Sequence, residues 1–140
     1  MESVNIPSKQ TVIQTLSENL GCSFQPCRGK QIMYKATSGT NQIVICTPQS
    51  KLHPRGHGWF DLTTIQVQTL NNANIAFLAI RLPNRIYYIV FEELRKLMPE
   101  KAPFNNEREG EHWKFYVWAD HIEVRGSNQK FMVQPKLISV

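Results

Sequence analysis

The feature that most constrains the fold is the run NIAFLAIRL at positions 74–82, which is apolar almost throughout. A strand that is apolar on both faces is typical of the centre of a sheet that is covered on both sides. A second run, RIYYIV at 85–90, follows after Pro83-Asn84, a dipeptide suited to a tight turn. The two runs predict a hairpin at the centre of a sheet, with further elements packed on each of its faces.

Other segments with regular periodicity flank this hairpin. Residues 8–20 carry apolar side chains at helical spacing, with Ser8 as the N-cap and Gly21 as the C-cap. Residues 31–37 and 42–47 are predicted to be strands joined by a turn at SGTN. Residues 57–60 are predicted to begin a third strand, and residues 61–70 a helix, with a strand as the alternative. A short helix is predicted at 91–98, followed by an acidic loop at 100–111. Residues 112–118 and 130–134 are predicted to form a closing hairpin.

This order of elements, roughly α-β-β-β-α-β-β-α-β-β, predicts an α/β or α+β fold with a single mixed β-sheet and flanking helices. The 140 residues have the length of one ordinary domain and include no linker rich in Pro, Gly or Ser. Residues 1–140 are therefore predicted to form a single domain.

The sequence also predicts a compartment. It contains no run of eighteen apolar residues that would span a membrane, and its first residues lack a secretory pattern. Three cysteines are too few for a disulfide framework and fit a reducing environment. A cytoplasmic protein with no membrane partner is expected.

Charge is distributed unevenly along the chain, whose formal net charge is +5. No acidic residue lies between Asn19 and Phe60, whereas this stretch contains five Lys or Arg residues and two His residues. A basic surface of this kind attracts polyanions. Nucleic acid, DNA rather than RNA, is the predicted partner, and the predicted phosphate contacts are Arg28, Lys30, Lys35, Lys51, Arg55 and His57.

The segment SKLHPRGHGWF at 50–60 concentrates these features. Its Lys and Arg supply charge, and its glycines allow backbone N–H groups to approach a phosphate. His53 and His57 are four residues apart, the helical spacing of a metal-binding pair, but the intervening Pro54 and Gly56 disfavour a helix. No metal ion or other cofactor is predicted for this loop, and the alternative is a polar turn in which Trp59 enters the core.

Aromatic residues are concentrated in HWKFYVW at 112–118. Strand alternation places Trp113, Phe115 and Val117 on one face, and Lys114, Tyr116 and Trp118 on the other. The second face suits base stacking or a protein interface. Because the neighbouring acids at 107–111 disfavour nucleic acid, a protein-interaction module is an alternative function. The predicted interface residues are Trp113, Tyr116 and Trp118, and a homodimer is one of the predicted assemblies.

Within residues 8–98, the segment FDLTTIQVQT followed by AFLAIRLPNRIYYIVFEEL resembles the core of the restriction-endonuclease-like family. The resemblance implies that Asp61 stands for the aspartate of that family. Gln66-Val67-Gln68 then stands where the family has D/E-x-K, so the motif is degenerate. Cleavage with Mg²⁺ uses two or more carboxylates around the ion, and Glu18 is the remaining candidate.

The sequence thus favours a non-catalytic DNA-binding protein, such as a regulator or a component of a mobile-element or defence system. A metal-dependent nuclease that uses Asp61, Glu18 and Mg²⁺ is the alternative from the enzyme class. No cysteine carries a local signature of a nucleophile, and Cys46 in an apolar strand is predicted to be a core residue.

Overall fold

A computed structural model describes residues 5–29, 32–108 and 110–137, which contain three helices and eleven strands. The helices are α1 (Lys9–Leu20), α2 (Thr64–Asn72) and α3 (Phe91–Arg95). The strands are β1 (Gln25–Pro26), β2 (Met33–Ser38), β3 (Asn41–Cys46), β4 (Gly58–Thr63), β5 (Ile75–Leu82), β6 (Arg85–Val90), β7 (Phe104–Asn106), β8 (Gly110–Val117), β9 (His121–Val124), β10 (Lys130–Met132) and β11 (Lys136–Leu137).

The strands form two sheets, so the prediction of a single sheet is imprecise. The mixed sheet has the order β1-β2-β3-β5-β6-β11, and β3 pairs with β5 in parallel. The antiparallel sheet has the order β10-β9-β8-β4, with β7 also paired to β8. The α+β class is confirmed. The second sheet forms because β4 does not join the mixed sheet. It pairs instead with β8, which lies much later in the sequence.

The predicted central hairpin is confirmed. β5 and β6 are joined at Pro83-Asn84, where Asn84 has a φ of 60° that suits a tight turn. Residues 78–82 of β5 are all buried. One face of the hairpin packs against Val12 and Leu16 of α1, and the other contributes to the main core between the two sheets.

The main core follows from strand alternation on both sheets. Alternate residues of β5 and β6 meet alternate residues of β4 and β8, and α2 and α3 close the sides. At its centre the rings of Phe60 and Phe115 stack with centroids 4.6 Å apart. Cys46 is fully buried, as predicted, and burial raises the pKa of its thiol to about 12, so it is a packed neutral group at physiological pH.

Caps explain where the helices begin and end. Ser8 accepts a hydrogen bond from the Thr11 N–H, and Gly21 ends α1 with a φ of 66°, both as predicted. Thr63 and Gln66 form a capping box, which starts α2 at Thr64. The predicted helix at 61–70 is therefore confirmed from Thr64 onward, whereas residues 61–63 form the end of strand β4. Within the described ranges, no helix is long and apolar enough to cross a membrane.

β5 also carries a buried cation, Arg81, which is 5% exposed. Its Nε and Nη2 donate to the Thr47 carbonyl at 3.2 and 2.9 Å, and its Nη1 donates to the Pro7 carbonyl at 3.1 Å. Burial lowers the pKa of the guanidinium, which still remains protonated at neutral pH. The Arg81 backbone binds Pro48 and Ser50, so this residue fixes the start of the 50–60 segment on the sheet.

Candidate functional site

Pairing of β4 with β8 joins two segments that the sequence presents as separate candidate sites. Trp59 lies opposite Tyr116, and Asp61 lies opposite Lys114. The side chains of these four residues, together with Trp118, lie on the side of the antiparallel sheet that points away from the main core. This side is called the outer face below. The basic loop at 50–57 borders it, because that loop leads directly into β4.

The basic loop is held in a closed turn. The His53 N–H donates to the His57 carbonyl at 2.8 Å, and the Gly56 N–H donates to the His53 carbonyl at 2.8 Å. Gly56 has a φ of 89°, which favours glycine. The Ser50 hydroxyl donates to the Lys51 carbonyl and accepts from the Trp59 N–H. Both histidines therefore lie on a turn rather than on a helix, as Pro54 and Gly56 predict.

Gly58, the first residue of β4, packs closely against Leu82 of β5. A Cβ at position 58 would lie 2.8 Å from Cδ2 of Leu82, which is 1% exposed, and 3.2 Å from Oγ of Ser50. We expect Gly58→Ala to reduce the free energy of unfolding by about 1–3 kcal/mol, because the close-packed core cannot move aside freely. Urea denaturation measures the loss. In a Leu82→Ala background the same substitution should cost much less, and an equal cost in both backgrounds would contradict this explanation.

Aromatic rings cover the junction between the loop and the sheet. The His57 ring lies 4.7 Å from Trp118 and 5.4 Å from Tyr116, and His53 lies 6.0 Å from Trp59, measured between ring centroids. Trp59 is 44% exposed and lies on the outer face, so it does not enter the core. A surface cavity of about 460 Å³ lies among these groups, and its lining includes His53, Arg55, His57, Trp59, Lys114 and Tyr116.

Two buried ring nitrogens in this group have no hydrogen-bond partner within the described part of the chain, namely Nδ1 of His57 and Nε1 of Trp118. The backbone of Trp118 is fixed by Tyr87, because the buried Tyr87 hydroxyl donates to the carbonyls of Trp118 and Ala119 at 3.2 and 3.0 Å. A buried polar group without a partner costs about 1–3 kcal/mol. Local costs of this kind are typical of functional sites rather than of optimised cores.

Two cations that are not among the predicted phosphate contacts lie beside the rings of the outer face. The Nζ of Lys114 lies 6.0 Å from the Trp59 ring centroid and 4.0 Å from Oδ2 of Asp61. The Arg125 guanidinium lies 5.8 Å from the Tyr116 ring centroid, and its Nη1 donates to the Tyr116 hydroxyl at 3.4 Å. The position of Lys114 on the polar side of HWKFYVW is the signal that could have indicated it.

Acidic residues lie on the β9 side of the aromatic group. His121 stacks on Trp118 with centroids 6.1 Å apart, and its ring nitrogens lie 2.7 Å from Oδ1 of Asp120 and 3.4 Å from Oε1 of Glu123. The hydrogen bond with His121 lowers the pKa of the Asp120 carboxyl below its ordinary value. The basic loop and the turn at 119–120 lie at the same end of the sheet, since Gly58 pairs with Val117, with the loop on the β4 side and the acidic residues on the β9 side.

The structure brings together only some of the predicted phosphate contacts. Arg55 and His57 line the cavity, and Lys51 lines an adjoining groove of about 810 Å³ that also includes His53 and Trp59. Arg28 and Lys35 instead line a separate cavity of about 380 Å³ next to α2. Lys30 lies outside the described residues.

The predicted protein interface is divided between the surface and the core. Trp113 is 3% exposed, belongs to the main core, and donates its Nε1 hydrogen to the Pro99 carbonyl at 2.9 Å. It is therefore not available on the outer face, because odd-numbered residues of β8 point inward. Tyr116 and Trp118 do lie on that face, and a homodimer through them stays a prediction.

The two carboxylates of the nuclease alternative do not meet. Glu18 is exposed on α1, which packs on the side of the mixed sheet away from the main core. Asp61 is on the outer face of the other sheet, so the mixed sheet and the main core separate the two residues. Gln66, Val67 and Gln68 lie in α2 rather than on a strand. Among the residues that the structure describes, no cluster of three or more His, Cys, Asp or Glu side chains could hold a metal ion.

Comparison with known proteins gives no relative from which a function could be transferred. No protein-family model, curated protein or solved structure matches this chain. The geometry of the outer face is therefore what bears on function. It combines the exposed Trp59 ring and the partly buried Tyr116 and Trp118 rings with cations that are not all neutralised by neighbouring acids, and such a surface suits an anionic ligand with flat apolar groups.

Proposed function

We propose that this protein binds nucleic acid, DNA rather than RNA, through phosphate contacts and without catalysis. The observation that carries the proposal is the pairing of β4 with β8. This pairing sets Arg55 and His57 of the basic loop beside Lys114 and close to Tyr116, which Arg125 contacts. Arg55 and Lys114, which are far apart in the sequence, thus line one cavity.

The balance of charge near the basic loop supports a polyanion as the ligand. Lys51 and Arg55 are exposed on the loop, Lys114 lies on β8, and Arg125 lies in the turn after β9, where it contacts Tyr116. Asp61 lies among them and forms an ion pair with Lys114, whose Nζ is 4.0 Å from Oδ2 of Asp61. These four cations outnumber the one acid, and cations that neutralise phosphates release the counterions condensed on the nucleic acid. Contacts of this kind position the ligand without reading its bases.

The salt dependence of binding tests this proposal. For wild-type protein and a labelled DNA, the binding constant should fall steeply as salt rises, because the logarithmic slope is about −0.9 per phosphate contact for a duplex and about −0.7 for a single strand. The double variant Arg55→Ala/Lys114→Ala should bind at least tenfold more weakly, since each charge-assisted hydrogen bond contributes about 1.5–3 kcal/mol. Its slope should be shallower by about one per lost contact. Fluorescence anisotropy at several salt concentrations measures both quantities.

Lys96→Ala is the matched control for charge. Lys96 lies next to α3, outside the cavity, and its side chain is 64% exposed beside Glu93. Its removal should leave both affinity and slope unchanged. Absence of binding at low salt would overturn the proposal. Cleavage that requires Mg²⁺ and is abolished by Asp61→Ala would instead favour the nuclease alternative.

A further inference from the structure

We infer that the ligand of the outer face is single-stranded nucleic acid, with an unpaired base stacked in the cavity beside Trp59. This inference rests on the proposed function, because it specifies which form of nucleic acid the same surface binds. Phosphate contacts alone do not distinguish a duplex from a single strand, so the inference depends on the aromatic rings.

The first argument is the exposure of ring surface. Trp59 is 44% exposed although it lies on a strand, and its ring borders the cavity of about 460 Å³. Tyr116, directly opposite on β8, and His53, 6.0 Å away, line the same cavity. The volume lies within the range of small-ligand sites. A flat apolar group can therefore enter and contact more than one ring.

The second argument is which nucleic acids present such a group. In a duplex the flat faces of the bases are stacked on one another, and a protein reaches only their edges and the phosphates. In a single strand the faces are free, and stacking on aromatic side chains is the main way in which proteins hold them. The outer face carries both aromatic rings and cations, and this combination suits the binding of a single strand.

The third argument is the placement of charge around the rings. Lys114 lies 6.0 Å from the Trp59 ring centroid, and Arg125 lies 5.8 Å from that of Tyr116. Phosphates on either side of a stacked base could be bound by these cations and by Arg55 of the loop. Asp120 and Glu123 lie on the β9 side of the face, whereas Arg55 and the basic loop lie on the β4 side. Repulsion from these carboxylates favours a strand that follows the β4 side.

The experiment compares oligonucleotides of one sequence as single-stranded DNA, single-stranded RNA and duplex DNA. We expect single-stranded DNA to bind wild-type protein at least tenfold more tightly than the duplex and more tightly than single-stranded RNA, and tighter binding of the RNA would overturn the preference for DNA. Trp59→Ala should weaken single-strand binding by roughly 5–150-fold, the range measured for loss of one base–aromatic stack. It should leave duplex binding and the salt slope unchanged, and Trp59→Phe should keep most of the affinity.

Ile65→Ala is the matched control, because Ile65 is an exposed apolar residue of α2 outside the cavity, and it should bind like wild type. Tyr116→Leu removes a ring from the opposite strand and is an independent test of stacking in the same cavity. Thermal melting verifies that each variant is folded. Equal binding of duplex and single strand, with no effect of Trp59→Ala, would overturn the inference and leave the proposed function intact. Absence of binding to all three oligonucleotides at low salt would overturn both.

Discussion

Phe115→Ala is expected to lower the free energy of unfolding by about 3–5 kcal/mol, the usual cost of removing a buried ring from a core. Phe115 is 0% exposed and stacks on Phe60 with the ring planes 4° apart. The loss is large relative to the total stability of a domain, which is about 5–15 kcal/mol. Chemical denaturation followed by circular dichroism measures it, and part of the protein should already be unfolded at physiological temperature.

Tyr116→Ala is the control for Phe115→Ala, because the next residue of the same strand points to the outer face. Its cost should be about 1 kcal/mol, in the range of partly exposed positions. The Phe60→Ala/Phe115→Ala double variant should cost less than the sum of the single variants, since the stacked pair contributes about 0.5–1.5 kcal/mol beyond buried area. Similar losses at positions 115 and 116 would contradict the assignment of the two faces of β8.

Arg81→Met is expected to lower the free energy of unfolding by about 3 kcal/mol. The substitution preserves much of the side-chain volume but removes the donors to the carbonyls of Thr47 and Pro7. Hydrogen bonds from a charged group contribute about 1.5–3 kcal/mol, and their loss leaves carbonyl oxygens without these donors. Thermal and urea denaturation measure the effect.

Arg81→Lys distinguishes charge from geometry in the same experiment. Lysine keeps the charge but lacks the planar guanidinium that donates to both carbonyls. The free energy of unfolding of Arg81→Lys should therefore lie between those of wild type and Arg81→Met. Arg85→Met, on the partly exposed start of β6, should cost far less. A neutral or stabilising Arg81→Met would show that desolvation of the guanidinium outweighs its hydrogen bonds, as happens for some buried ion pairs.

Much of the local structure could be predicted because neighbours in the chain determine it. The β5–β6 hairpin follows from two apolar runs around Pro83-Asn84, and the limits of α1 follow from Ser8 and Gly21. The capping box of Thr63 and Gln66 is also a local signal, and it decides the helix that periodicity alone leaves ambiguous. The alternation of β8 between core and surface holds for Phe115 and Tyr116 as predicted.

The candidate site could be predicted only in part. The acid-free stretch indicates Lys51, Arg55 and His57, which the structure places along the cavity and its adjoining groove. The same criterion also selects Arg28 and Lys35, which lie in a different cavity, because a run of charge along the chain does not specify a surface. Lys114 and Arg125 are not selected, since they lie outside that stretch and follow acidic residues in the sequence.

The sequence by itself determined the α+β class, the central hairpin, the helix caps and the basic character of the 50–60 loop, because each depends on residues close together in the chain. Only the tertiary structure decided that β4 pairs with β8 rather than with the mixed sheet. Such pairing is specified by how two distant strands bury their apolar faces against a shared core, and no local pattern encodes it. That pairing turns a basic loop and an aromatic strand into one surface.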